Sequence, residues 1–190
     1  EIGTDTHSLV VFAHGVGHGT ASDIDSLISK ELMRLGMGTL VFNVLMDKEK
    51  NVQKKEIDVD LMTERLIAVT KWCMDNEKTK RLSIGYLGTG GGTAAALSAA
   101  AYWGTRVKAV VSNFGRPDLA IDVLDLIEAP TLIVVGGNDK SMIDFNRQAY
   151  QKMGCVKKFE IVPGMSSLHA ESDDIKRVSE LSTNWFLKYL

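Results

Sequence analysis

Cysteine is nearly absent from this sequence, with 2 residues in 190, Cys73 and Cys155. They belong to no Cys-x-x-Cys or metal-spaced set, so neither a disulfide framework nor a zinc site is expected. Each reads as a small buried hydrophobe. Proline is almost as scarce, at 3, and no linker, low-complexity tract or internal repeat divides the chain. No sign of charge dominates either. With 22 Lys and Arg against 24 Asp and Glu, the net charge is −2. That leaves no electrostatic footprint for nucleic acid or an anionic membrane surface. The pairs Lys54-Lys55 and Lys157-Lys158 read as solvated surface. No signal peptide is visible, and a cytoplasmic protein is expected.

Charge is missing altogether from residues 82–105, a stretch long enough to span a membrane. Gly88, Gly90, Gly91 and Gly92 interrupt it midway. A buried strand followed by a buried helix accounts for it better, because parallel strands covered on both faces read as unbroken apolar runs.

What the chain does contain is a regular alternation. Hydrophobic residues make up 45% and charged residues 24%, ordinary values for a globular protein. Apolar runs at Ser8–Ala13, Thr39–Leu45, Leu82–Leu87, Val107–Ser112, Thr131–Val135 and Lys158–Val162 read as strands. Helical spacing marks Ser22–Leu35, Val59–Met74, Gly91–Trp103, Asp118–Ile127, Ser141–Met153 and Asp174–Leu190. Asp23 and Asp25 suit the first turn of the first helix. Strict alternation predicts one α/β domain over residues 1–190, a doubly wound parallel sheet with helices on both faces. The expected strand order is 2-1-3-4-5-6, which sets the first and third strands side by side at the switch point where such sheets bind ligands.

The unusual residues gather on the loops that follow the strands. These loops are His14-Gly15-Val16-Gly17-His18-Gly19, Gly88–Thr93, Gly136-Gly137-Asn138-Asp139 and Pro163–His169. The second lies within Arg81–Leu97, RLSIGYLGTGGGTAAAL, a strand, a glycine knot and an alanine-rich helix. That is the setting of a nucleophile elbow, a small-x-nucleophile-x-small turn. Gly88 and Gly92 fill the small positions, and Gly90 stands at the centre with no side chain.

Together these loops resemble the α/β-hydrolase superfamily, most closely its small dienelactone hydrolase-like members, over about residues 8–190. FAHG resembles the family's oxyanion loop, GYLGTGGGTAAAL its elbow, APTLIVVGGND the strand end that carries the triad acid, and IVPGMSSLH the segment that carries the triad histidine. GRPDLA at Gly115–Ala120 resembles another strand end. The resemblance implies a minimal hydrolase fold without a lid domain. It places Asp139 at the acid position, Gly90 at the nucleophile position and Ser167 at the histidine position, with His169 two residues further on as a displaced base. It implies an oxyanion hole from the backbone N–H groups of Gly91 and of Gly15 or Val16, with His14 and His18 flanking it.

Acyl transfer on this architecture needs a nucleophile, a base and an orienting acid. Glycine supplies no nucleophile, and a serine hydroxyl cannot act as base near neutral pH. The expectation is a non-hydrolytic or strongly impaired relative that keeps a pocket for a small acyl, carboxylate or other anionic ligand, with no cofactor and no metal. Whether it is an enzyme at all stays open, as does its assembly into homo- or hetero-oligomers. One alternative is a working carboxylic ester hydrolase that uses water with Asp139 and His169. Thr89, Thr93, Ser112, Ser166 and Ser167 are the substitute hydroxyls to check. Another alternative is a nucleotide binder, since Gly88-x-Gly90-x-x-Thr93 loosely copies the dinucleotide fingerprint. The acidic ribose ligand is missing after the next strand, and no Lys follows the glycines to make a P-loop.

Overall fold

Short runs of branched and aliphatic residues build the strands: β1 (Ser8–His14), β2 (Met37–Asn43), β3 (Ser83–Thr89), β4 (Val107–Asn113), β5 (Thr131–Gly136) and β6 (Lys157–Val162). A computed structural model describes residues 6–14, 20–43, 58–165 and 171–190. All strand pairs are parallel, in the order β2-β1-β3-β4-β5-β6. This is the order expected for a hydrolase-type sheet. The α-helices among the described residues are α1 (Thr20–Arg34), α2 (Val59–Asp75), α3 (Gly92–Trp103), α4 (Lys140–Lys152) and α5 (Ser172–Tyr189).

Alternating side chains send each strand into two cores. Leu9, Val11 and Ala13 of β1 pack with Met62, Leu66 and the alanines of α3 on one face. Val10 and Phe12 pack with Ile24, Ile28, Leu32 and Phe186 on the other. Because both faces are covered, the charge-free stretch 82–105 is β3 and α3 in the interior. No described helix is long and apolar enough to cross a membrane.

Three local expectations change. The segment read as a helix over 118–127 is a 3₁₀ stretch, Pro117–Leu126, broken at Ala120 (φ −109°, ψ 21°). Pro117 supplies no N–H, and so short a turn tightens to i→i+3 bonding. Strand β2 starts at Met37 rather than Thr39, since Met37 already pairs with Ser8. Lys157 is not simply solvated: its ammonium donates to the carbonyls of Tyr150 (2.7 Å) and Met153 (2.6 Å) at the end of α4, where a cation suits the helix dipole. Lys54-Lys55 lies outside the described residues. Both cysteines are free, Cys73 buried and Cys155 half-buried. Burial pushes the Cys73 thiol up to about 11 and raises Cys155 too, so neither is a ready nucleophile.

Candidate functional site

β3 ends at Thr89 and α3 begins at Gly92, so Gly90 and Gly91 make the whole turn between them. Gly90 has φ +58°, a left-handed conformation that disfavours any residue with a Cβ. Gly91 is already helical, at φ −65° and ψ −25°. The Gly90 carbonyl accepts from the N–H of Thr93 (3.3 Å) and of Arg116 (3.2 Å), which ties the turn to the exit of β4. Among the described residues, a Cβ added at Gly90 would meet nothing within 4 Å. The first N–H groups of α3 have no acceptor within the helix and give the apex of the turn a partial positive charge.

The surroundings of the turn are tight. A Cβ on Gly88 would lie 2.6 Å from Thr93 Cα, and one on Gly115 would lie 1.8 Å from Thr93 Oγ1. Glycine at both places lets α3 sit against β3 and the β4 exit loop. Phe114 adopts φ +50°, a strained conformation that costs on the order of 1–3 kcal/mol. Its N–H donates to the Val134 carbonyl at 2.9 Å. No feature of the sequence marked this residue.

Asp139 sits after β5 and caps α4. Its carboxylate accepts from the N–H of Met142 at 3.0 Å, a common use of aspartate. It borders a small hollow with Phe114, Met142 and the buried Asn146. The Asn146 amide donates to the carbonyls of Gly115 (3.1 Å) and Met142 (2.8 Å). Gly15, Val16, His18, Ser167 and His169 lie outside the described residues, as does Ser166. Among the substitute hydroxyls, Thr93 and Ser112 are buried against each other, with their oxygens 3.4 Å apart. The Thr89 hydroxyl turns away from the apex and donates to Asp25 at 3.2 and 3.3 Å. No described hydroxyl therefore takes the place of a nucleophile at Gly90.

The sequence reading missed Asp25 as a site residue. Helix α1 begins at Thr20, so Asp25 falls past the first turn, whereas Asp23 is within it. Its spacing to Ile28 and Leu32 puts it on the buried face, and that single charge on an apolar stripe was the available signal. Asp25 is 4% exposed, and its carboxylate lies 3.1 Å from His14 Nδ1. His14 and Thr89 are register partners in neighbouring strands. Three polar side chains thus meet below the turn.

Burial pushes the Asp25 carboxyl up to about 7, against the Thr89 hydrogen bond that favours its anion. Burial also lowers His14 below its ordinary 6.5. The consequences for stability have opposite signs. The raised carboxyl stabilises the fold at low pH, an effect lost as pH rises from about 4 to about 7. The lowered imidazole favours the fold above pH 6.5, an effect lost as pH falls below that value. In the intact pair the two slopes offset each other. His14→Gln leaves only the first. That variant is expected to lose stability more steeply than the wild type between pH 5 and 7.5, by on the order of 1–2 kcal/mol. Urea unfolding at a series of pH values measures this, and parallel curves for the two proteins would refute it.

Among the described residues no group of histidine, cysteine and carboxylate side chains is placed to hold a metal. Comparison with known proteins agrees with the fold. The sequence model of the dienelactone hydrolase family matches residues 8–163. A dienelactone hydrolase structure from Anabaena variabilis is 35% identical, with a TM-score of 0.92 over 100% of this chain and 89% of that one. The structure of Est1E from Butyrivibrio proteoclasticus shares the fold at 15% identity, with a TM-score of 0.77 over 97% of this chain and 88% of its own. Two Mycobacterium tuberculosis sequences, provisionally named phosphoribosyl transferases, are 37% identical over 182 residues. This chain is covered to 96% by that match but spans only 41% of their length. The parallel sheet, the glycine turn after β3 and the family match over most of the chain lead to one conclusion: the chain belongs to the dienelactone hydrolase family, with an α/β-hydrolase fold.

Proposed function

We propose that this protein is a member of the family that has lost covalent hydrolysis and keeps its pocket for binding a small acyl, carboxylate or other anionic ligand. The observation that carries this reading is Gly90: it stands at φ +58° on the β3–α3 turn, and no described residue lies within 4 Å of where a Cβ would be. The conformation is that of an elbow, and the position of its nucleophile is empty of side chain. Asp139 fits the acid position, and Ser167 stands where the family resemblance expects the base. The N–H groups at the start of α3 are suited to an oxyanion or carboxylate oxygen. Gly15 or Val16 would supply a second N–H, and His18 would border the pocket. The transferase name of the mycobacterial relatives is not carried over, because this chain matches two fifths of their length and does so over its hydrolase fold.

The binding half of this reading is tested by titrating ¹⁵N-labelled protein with butyrate. The amide signals of Gly91 and Gly92 are expected to shift saturably. Their failure to move would contradict an anion pocket at the turn.

A related prediction concerns backbone strain. Gly90→Ser places a Cβ in the left-handed region, so it is expected to lower stability by about 1–2 kcal/mol. No described residue overlaps the added Cβ. A thermal melt in which the serine variant matches or exceeds the wild type would count against the elbow conformation.

A further inference from the structure

We propose that the cleft between α1 and β2 is a second ligand site, in which His14, oriented by Asp25, and Lys30 bind a carboxylate bearing a short apolar chain. The cleft has a volume of about 570 Å³ and is bordered by His14, Asp25, Ser26, Lys30, Met33 and Val41 among others. That is the size range of small-molecule sites. The turn residues 88–92 do not line it, so it is separate from the pocket at Gly90.

The chemistry follows from the hydrogen-bond partners. Asp25 holds His14 by Nδ1 at 3.1 Å, and the Phe12 ring stacks beside the imidazole with centroids 6.3 Å apart. The ring is held on its Nδ1 side, and among the described residues no partner occupies Nε2, the nitrogen offered to a ligand. The His14 side chain is 23% exposed, against 5% for Asp25, so the imidazole meets solvent while its carboxylate stays covered. This is how an orienting carboxylate sets the direction of a histidine. Lys30 lines the same cleft and, among the described residues, is held by no salt bridge. Met33 and Val41, the latter 59% exposed, form an apolar wall for a hydrocarbon chain. Ser29 Oγ and Thr39 Oγ1, 3.0 Å apart, join α1 to β2 at the floor.

The charge balance gives the site a pH dependence. Asp25 of α1 holds His14 and accepts from the Thr89 hydroxyl of β3, while Lys30 of α1 and Thr39 of β2 line the same cleft. Among the described residues no other ionisable side chain lines the cleft. With the pair deprotonated, the Asp25 anion cancels the Lys30 cation, and a bare Nε2 repels a carboxylate. One proton on the pair removes the negative charge, turns Nε2 into a donor and leaves the cleft with a net positive charge. Burial sets that uptake near pH 7. Carboxylate binding is therefore stronger on the acid side of neutrality.

The test reads His14 directly through the ¹⁵N signals of its imidazole, assigned by their absence from His14→Gln. Titration of the wild type with butyrate at pH 6 is expected to shift them saturably, with a Kd on the order of 1–10 mM. At pH 8 the affinity is expected to fall about tenfold. Lys30→Gln, an exposed substitution that leaves the His14–Asp25 pair intact, is expected to weaken binding about fivefold at pH 6. Neutral butyramide should leave the signals in place. The proposal is overturned if butyrate gives no saturable shift at His14, if butyramide gives the same shift, or if Lys30→Gln has no effect. Gly91 amide shifts in the same titration report the pocket at the turn, so each site succeeds or fails on its own signal.

Discussion

Gly115→Ala is expected to destabilise the protein by about 3 kcal/mol or more, lowering its melting temperature by roughly 6–12 °C. The new Cβ would lie 1.8 Å from Thr93 Oγ1, 2.4 Å from Thr93 Cβ and 2.8 Å from Thr93 Cγ2. No rotamer of Thr93 avoids an overlap at its own Cβ. Thr93 is fully buried, and Gly115 is held from the other side by the Asn146 amide at 3.1 Å. Either α3 or the β4 exit loop must shift, and both carry the turn at Gly90. A second substitution locates the cause. Thr93→Gly removes the side chain in the way, so the double variant should be more stable than the two separate losses predict. Gly88→Ala offers a contrast: its Cβ would meet Thr93 Cα at 2.6 Å and Thr93 N at 3.0 Å. Those are backbone atoms, so Thr93→Gly should not rescue it. Urea denaturation of the set measures all of these differences, and a stable Gly115→Ala protein would show that the helix and strand are not so closely apposed.

The second large effect is a gain. Gly90→Ser combined with Ser167→His is expected to hydrolyse p-nitrophenyl acetate on the order of 10²–10³ times faster than the wild type. The serine would stand at the apex of a turn whose conformation is already that of an elbow. Asp139 would orient the new imidazole, and the N–H groups of α3 would meet the developing oxyanion. Gly90→Ser alone should gain little turnover, because no base then takes its proton at the family's usual position. A folded double variant that remains inactive would mean that the pocket around the turn no longer accepts an ester in a reactive pose.

Much of this molecule could be read from its sequence. Alternation gave the doubly wound parallel sheet, and the hydrolase resemblance gave the strand order within it, since alternating sheets of this kind take more than one order. The turn at Gly90 was legible because a strand, four glycines within five residues and an alanine-rich helix leave few conformations open. What escaped depends on tertiary contact. Asp25 looked like a first-turn acidic residue, and only the start of α1 at Thr20 brings it inward to His14 and Thr89. Phe114 carries no signal in its own type for a positive φ. Lys157 looked like solvated charge, and its role at the end of α4 depends on how β6 returns beside that helix.

The central claim is that no attacking oxygen or sulfur stands at the apex of the β3–α3 turn. Incubating the purified wild-type protein with a fluorophosphonate probe, followed by intact-mass and peptide analysis, tests it most directly. The account predicts no adduct at any position and ester hydrolysis at the buffer rate. A stoichiometric adduct on one side chain, abolished when that residue is replaced, would contradict it.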